Sequence, residues 1–95
     1  MISLLSGDVL WCGDGVAVIG VNGIGFEVRM TDAAIRMLPE TAAPVRIHTH
    51  LAVRDGEPIL YGFFSRSELE MFLLLISVNR VGPVLALHIL SQIGI

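Results

Sequence analysis

The alternation of apolar and polar positions changes period once along this chain, at about Ser65. Before that point, short runs of period two are separated by turn signals; after it, apolar residues recur at helical spacing. Ile2 to Trp11 reads as a strand, with Gly7-Asp8 as a candidate bulge inside it. Gly13-Asp14-Gly15 is a turn, and Val16 to Val21 is a second strand, almost wholly apolar. Asn22-Gly23 predicts a tight hairpin, because both residues accept positive φ. Gly25 to Met30 pairs back, with Phe26, Val28 and Met30 alternating against Glu27 and Arg29. Thr31-Asp32 caps a short helix, Ala33 to Leu38, which Pro39 ends. From Val45 to Val53 the period is plain. Val45, Ile47, Thr49, Leu51 and Val53 share one face, and Arg46, His48, His50 and Ala52 the other. Asp55-Gly56 makes the next turn, and Ile59 to Phe63 closes the sheet. Five strands with a short helix between the third and fourth is the pattern of a small Greek-key barrel, the OB-fold. The expected architecture is mainly β with α, a barrel over residues 1–63 followed by helices over 64–95.

In the helical part, Ser65 and Glu68 form a capping box, each side chain answering the other's backbone N–H. Leu69, Phe72, Leu73 and Ile76 line one face of the helix that follows, ending at Ser77. Met71, Leu74 and Leu75 make a second apolar face. One core cannot use both, so the second predicts a subunit contact. Asn79-Arg80-Val81-Gly82 is long enough only for a tight hairpin, with Gly82 expected at positive φ. Pro83 suits the first position of a second helix, Val84 to Ile93. Backbone N–H groups at such a helix start attract anions, and phosphate is the obvious one. An ordinary αα-hairpin buried in a core has the same local pattern.

Composition narrows the class. The 95 residues fit one ordinary domain or two very small ones. An apolar fraction of 54% and a mean hydropathy of +0.76 are high for so small an interior. They predict oligomerisation, or a segment of a longer protein, as does a chain stopping one residue past the candidate C-cap Gly94. The net charge of −3 gives no bulk signal for nucleic acid. All six basic residues are Arg, which suits bidentate phosphate contacts, although GC-rich coding gives the same skew. Cys12 is the single cysteine, which excludes an internal disulfide and a zinc set and points to a reducing, cytoplasmic setting. Asp8 interrupts the first apolar run, against a signal peptide, and Asn79-Arg80 breaks the run from Met71 before it could span a bilayer.

Catalytic chemistry and cofactors are not indicated. His48 and His50 share a strand face without a third ligand, which reads as a solvated face. His88, among Leu87, Ile89 and Leu90, reads as a packed or edge histidine. Ser3, Ser6 and Ser91 have no base at a recognisable spacing. Gly13-Asp14-Gly15 and Gly23-Ile24-Gly25 lead into no helix and are turns, not dinucleotide loops. The Asp55-Gly56-Glu57 tip carries two carboxylates, as an ordinary acidic turn also would.

The joint pattern is more specific than any piece. It comprises Met1-Ile2, Val21 to Val28, Leu38-Pro39-Glu40, His48 to Asp55, Leu60-Tyr61-Gly62-Phe63, Phe72, Leu75-Ile76, Asn79, Val81-Gly82-Pro83 and Leu85 to Ser91. In that order and spacing the chain, from Met1 to Ser91, resembles the RuvA family, the junction-binding subunits of bacterial Holliday junction branch-migration complexes. The resemblance implies an OB-fold that forms a homotetramer, followed by helix-hairpin-helix units that hold the backbones of four-way junction DNA. It also implies a RuvB-type hexameric ATPase, contacted through a further domain with no counterpart here, and a RuvC-type resolvase as partners. The protein itself would carry no catalytic site, cofactor, metal or membrane segment. Asn79, Arg80, Val81, Gly82, Val84 and Leu85, with Arg29 and Arg54, become the expected DNA-backbone contacts. Asp55 and Glu57 become an acidic pin at the crossover, and Met71, Leu74 and Leu75 the subunit interface. Three features depart from the family pattern. Its hairpin usually reads Gly-Val-Gly-Pro and then Lys, whereas here Arg80 replaces the first Gly and Val84 the Lys. Its adjacent acidic pair becomes Asp55 with Gly56, with Glu57 one later.

Two other readings fit the residues. A single-strand binder of the OB class needs aromatic and basic residues along the barrel, which here offers Trp11, Phe26, Tyr61 and Phe63 and no Lys. An oligomerisation or protein-interaction module that binds no DNA would also use the apolar helix face and acidic charge.

Overall fold

Three two-residue tips set the β part of the molecule. Asp14-Gly15, Asn22-Gly23 and Asp55-Gly56 all hold both residues at positive φ, between 50° and 84°, in a computed structural model that describes residues 1–39 and 43–93. That is the primed turn whose twist matches paired strands. The strands so joined are β1 (Leu4–Gly13), β2 (Val16–Val21), β3 (Ile24–Arg29), β4 (Pro44–Arg54) and β5 (Glu57–Phe63). They form a closed barrel in the order β1-β2-β3-β5-β4, sealed by a short parallel pairing of Val28 with Leu60 and Arg29 with Tyr61. The five-stranded OB-type barrel read from the alternation is therefore present.

β1 serves both neighbours. Leu4 to Asp8 pairs with β4, and Asp8 to Gly13 pairs with β2. At the corner, a side chain on Gly7 would strike the Gly20 carbonyl oxygen, so the two backbones meet only because residue 7 is glycine. The bulge expected at Gly7-Asp8 lies instead at Leu10, where register passes from Val9↔Ile19 to Trp11↔Val18. The extra residue is turned outward, and Leu10 lies over Gly20.

Inside the barrel, Ile19, Val28 and Ile47 are fully buried with Leu5, Ala17 and Leu60 around them. Gly62 faces the same interior, where any side chain would collide with Val28 and Ile47. Thr49 is buried too, and satisfied: its hydroxyl donates to the Ile2 carbonyl at 2.8 Å. The short helix α1 (Asp32–Met37) closes one end through Ala34 and Leu38. Its N-cap Thr31 Oγ1 accepts from the Ala34 N–H at 3.0 Å. The expected inner face of β4 holds for Val45, Ile47 and Thr49, but Leu51 is half-buried and Val53 is 69% exposed. The far end of the β4–β5 hairpin thus projects past the core and carries the Asp55-Gly56 tip into solvent.

The outward side of β5 seats the helices α2 (Arg66–Ser77) and α3 (Pro83–Ile93). Tyr61 and Phe63 cluster with Leu69, Phe72, Ala86 and Leu90. The Phe72 ring lies 5.0 Å from that of Phe63, 5.2 Å from Tyr61 and 6.2 Å from His50, centre to centre. His50 is therefore half-buried against α2, not on a solvated face. The division of α2 into two competing faces also changes. Leu73, expected inside, is exposed, while Met71 and Leu75, expected outside, pack partly against the second cluster. The cause is that α2 touches both the sheet and α3, so its inward arc is wider than one stripe. Leu74, at 64% exposure, is the member of that set left free.

Ser65 caps α2 as expected, accepting from the Glu68 N–H at 3.2 Å. Burial pushes the Glu68 carboxyl above its usual range, opposed by its hydrogen bond with the Ser65 side chain. Glu40, from the quoted pattern, and the candidate C-cap Gly94 lie outside the described residues. No helix among those described is long and apolar enough to cross a membrane.

Candidate nucleic-acid interface

The helical hairpin is built from two backbone bonds. The Val78 N–H donates to the Leu75 carbonyl at 3.1 Å and ends α2; the Val81 N–H donates to the Val78 carbonyl at 3.1 Å. Val78 to Val81 is thus a β-turn with Asn79 and Arg80 at its centre. Arg80 takes φ of +71°, whereas Gly82, expected in that conformation, does not. Positive φ at the third residue of such a turn is the position glycine normally fills. Here an arginine occupies it, against a left-handed cost of roughly 1 kcal/mol or more. Gly82 instead stands at the N-cap of α3, its carbonyl accepting from the Ala86 N–H at 3.0 Å. It has no side chain to cap the helix, and Pro83 has no N–H, so the amides of Val84 and Leu85 head α3 without a cap from position 82. Val81 anchors the turn by packing against the second cluster, and Val84 is 74% exposed.

A second arm reaches this point from the barrel. Arg54, the last residue of β4, brings Nη1 to 3.6 Å from where a Cβ on Gly82 would lie. A guanidinium from the sheet and the start of a helix are thereby placed side by side by the packing of Phe72 on β5. Between them runs a groove of about 590 Å³. Arg54, Asp55 and Glu57 of the β4–β5 hairpin line it together with Val84, His88 and Ser91 of α3 and Arg29 of β3. Arg54 and Glu57 flank the tip as a register pair, with Asp55 between them, all three exposed.

The fold thus gathers five of the expected residues, Arg29, Arg54, Asp55, Glu57 and Val84, around one groove. Asn79 and Arg80 are exposed at the hairpin apex beside it, and Leu85 is 46% exposed on the first turn of α3. Met71, Leu74 and Leu75 belong to α2 and do not line the groove. His88 and Ser91 do line it, and His88 is exposed rather than packed. Their spacing from Val84, four and seven residues on, is the signal that would have found them. Among the described residues no group of His, Cys, Asp and Glu is placed to hold a metal ion.

A closed five-stranded barrel that carries a helix-hairpin-helix on one side defines the class of protein. The chain belongs to the RuvA N-terminal domain family, whose model matches residues 1–62. Over 98 residues it is 40% identical to the Holliday junction branch migration complex subunit RuvA of Synechococcus sp. (strain JA-2-3B'a(2-13)), covering all of this chain and 48% of that protein. It is 43% identical over 91 residues to the protein of the same name from Marinobacter nauticus, covering 96% of this chain and 44% of that protein. With that of Stutzerimonas stutzeri it shares 44% over 78 residues, 82% of this chain and 39% of that protein. The chain spans about half the length of the curated relatives it matches.

Proposed function

We propose that this chain holds four-way junction DNA as a symmetric homotetramer and supports branch migration driven by a separate, RuvB-type hexameric ATPase, in a cytoplasmic recombination pathway that a RuvC-type resolvase completes. It hydrolyses nothing itself. The observation that carries this reading is the meeting of Arg54 with the Gly82 end of α3, two anion-favouring features from different elements. The amides of Gly82, Val84 and Leu85, with Arg80, Arg54 and Arg29, grip phosphates; the Val81 N–H, expected among them, is instead spent on the Val78 carbonyl that closes the turn. Asn79 adds a polar side chain at the apex. None of these reads a base, as movement of a junction through any sequence requires. Four copies present four such grips with the symmetry of the junction.

The projecting Asp55-Gly56-Glu57 tip acts as a pin, its carboxylates repelling phosphates where strands cross. Residues 1–63 supply the barrel and the pin, and residues 64–95 the grip. Leu74 is the strongest subunit contact of its set, with Met71 and Leu75 beside it. The exposed pair Leu73 and Leu74 also favours a second reading, an oligomerising module that binds no DNA.

Competition binding among junction, linear duplex and single strand separates the readings. Junction should be preferred, with a shallow dependence on salt because few phosphates are contacted. Val84→Lys should tighten binding and steepen the slope of log K against log salt by about one. Equal binding of all three DNAs, or none, would sink the junction reading. Leu74→Glu should shift sedimentation toward monomer, and a wild-type chain already monomeric at micromolar concentration would remove the tetramer.

A further inference from the structure

The groove beside the hairpin holds a titratable group that the backbone grip does not use. His88 lies on α3 one turn beyond Val84, exposed, in the groove that Arg54 also lines. Ser91 continues the same face. The β4–β5 hairpin contributes Arg54, Asp55, Glu57 and Tyr61 to the same lining. Arg29 of β3, Asp14 of the first turn and Asp32 of α1 also line it. Two arginines against four carboxylates leave the groove two charges negative while His88 is neutral. A phosphate following α3 away from the hairpin then meets net repulsion, and one added proton halves that imbalance. Histidine is the side chain whose charge ordinarily changes between pH 5 and 8. A phosphate favours the charged form of an imidazole that it meets.

We propose that His88, when protonated, is a second phosphate contact on α3, one turn past the hairpin, and that it makes DNA binding by this chain strengthen as pH falls. Ser91 is placed to donate a hydrogen bond to the next oxygen along the same backbone. The proposal rests on the junction-binding reading and adds to it a contact outside the turn. Binding takes up a proton in each subunit whose His88 is neutral beforehand. By linkage, affinity is greatest where the free imidazole is already charged and falls as pH rises through the titration of the bound form. The other histidines lie elsewhere: His50 is covered by Phe72, and neither His48 nor His50 lines the groove.

The test is titration of a labelled four-way junction and a linear duplex at constant ionic strength, near pH 6 and near pH 8. Wild type, His88→Gln, His88→Arg and His48→Gln are compared in the 95-residue chain. Wild type should bind about tenfold tighter at the lower pH, the effect expected of one hydrogen bond to a charged partner. His88→Gln should abolish most of that gain, His88→Arg should bind tightly at both values, and His48→Gln should behave as wild type. Proton NMR of the imidazole should show the His88 titration moving to higher pH when duplex is added. If the glutamine variant keeps the wild-type pH dependence, or DNA leaves the His88 titration unmoved, the His88 contact is refuted while junction binding stands. If wild type binds neither DNA at either pH, the junction reading falls and this contact with it.

Discussion

The three β-hairpins and the single helical hairpin reverse the chain with different residues in the left-handed positions. At the β tips these positions hold Asp-Gly or Asn-Gly, residues that accept positive φ cheaply. At the helical tip Arg80 takes the strained conformation, two residues before a glycine that has no need of it. The β tips are consistent with their local sequence at every level, which is what fast and unambiguous strand pairing asks of them. The helical tip violates a local rule, and it does so where a cation is exposed beside an uncapped helix start. A position that costs stability and supplies charge is most simply explained by what the charge holds.

The largest expected effect tests how far the two regions are separable. Phe72 joins them, and Phe72→Ala should cost roughly 3–5 kcal/mol. Hydrogen exchange should then show α2 and α3 losing protection while the barrel amides keep theirs. Equal loss in both would mean that barrel and helices unfold as one unit. Next come the glycines. Gly56→Ala, at φ of +78°, should cost about 1 kcal/mol by denaturant titration. Gly82→Ala should cost less than about 0.5 kcal/mol, because its φ is not left-handed and the added methyl meets only the Arg54 side chain at ordinary contact. Arg80→Gly should run the other way and stabilise by roughly 1 kcal/mol, while weakening junction binding several-fold. An Arg80→Gly protein that is no more stable, or that binds equally well, removes the trade-off.

Smaller effects are expected at the Asp55-Gly56-Glu57 tip. Asp55→Asn with Glu57→Gln should leave stability within about 0.5 kcal/mol yet tighten junction binding and blur the distinction from linear duplex. The change should shrink with added salt, since exposed charges are screened over about 8 Å at physiological strength. Equal affinities on both DNAs at low salt would show that the tip faces no phosphate. The smallest effect concerns Glu68. Burial disfavours its charge and holds its carboxyl above the usual carboxylate range in the folded chain. A raised folded value means stability fully present below the unfolded titration and lost as pH rises through the folded one. Glu68→Gln should therefore flatten a slight loss of stability as pH rises from the usual carboxylate range through the raised folded titration. An unchanged acid limb would show that the carboxyl titrates alike folded and unfolded.

The β tips, the N-caps Thr31 and Ser65, the alternation of β4 and the start of α3 at Pro83 were all legible, because each depends on residues a few positions apart. The bulge was not. Gly7 carries the signature of one, but its role is a close approach to Gly20, and that crossing exists only once β1 has wrapped from β4 to β2. The outward and inward residues of α2 were misdivided at Leu73, Met71 and Leu75 for a related reason. Helical periodicity says that a face is apolar but not how many surfaces it will meet. Positive φ falls on Arg80 and not on Gly82, where it was expected, because the phase of a turn is set by where α2 ends, at the Val78 to Leu75 hydrogen bond.

By itself the chain determines its elements and their order: apolar period, turn dipeptides and caps are local and sum along the sequence. The groove is not of that kind. Arg29, Arg54 and the Asp55 tip come from the sheet and Val84, His88 and Ser91 from the last helix, and no spacing rule relates the two sets. They meet because Tyr61 and Phe63 point outward from β5 and Phe72 seats α2 on them, which carries α3 against the projecting end of the β4–β5 hairpin. Long-range packing decides that geometry, since burial of apolar surface is indifferent to sequence separation and rewards whichever faces can close on one another.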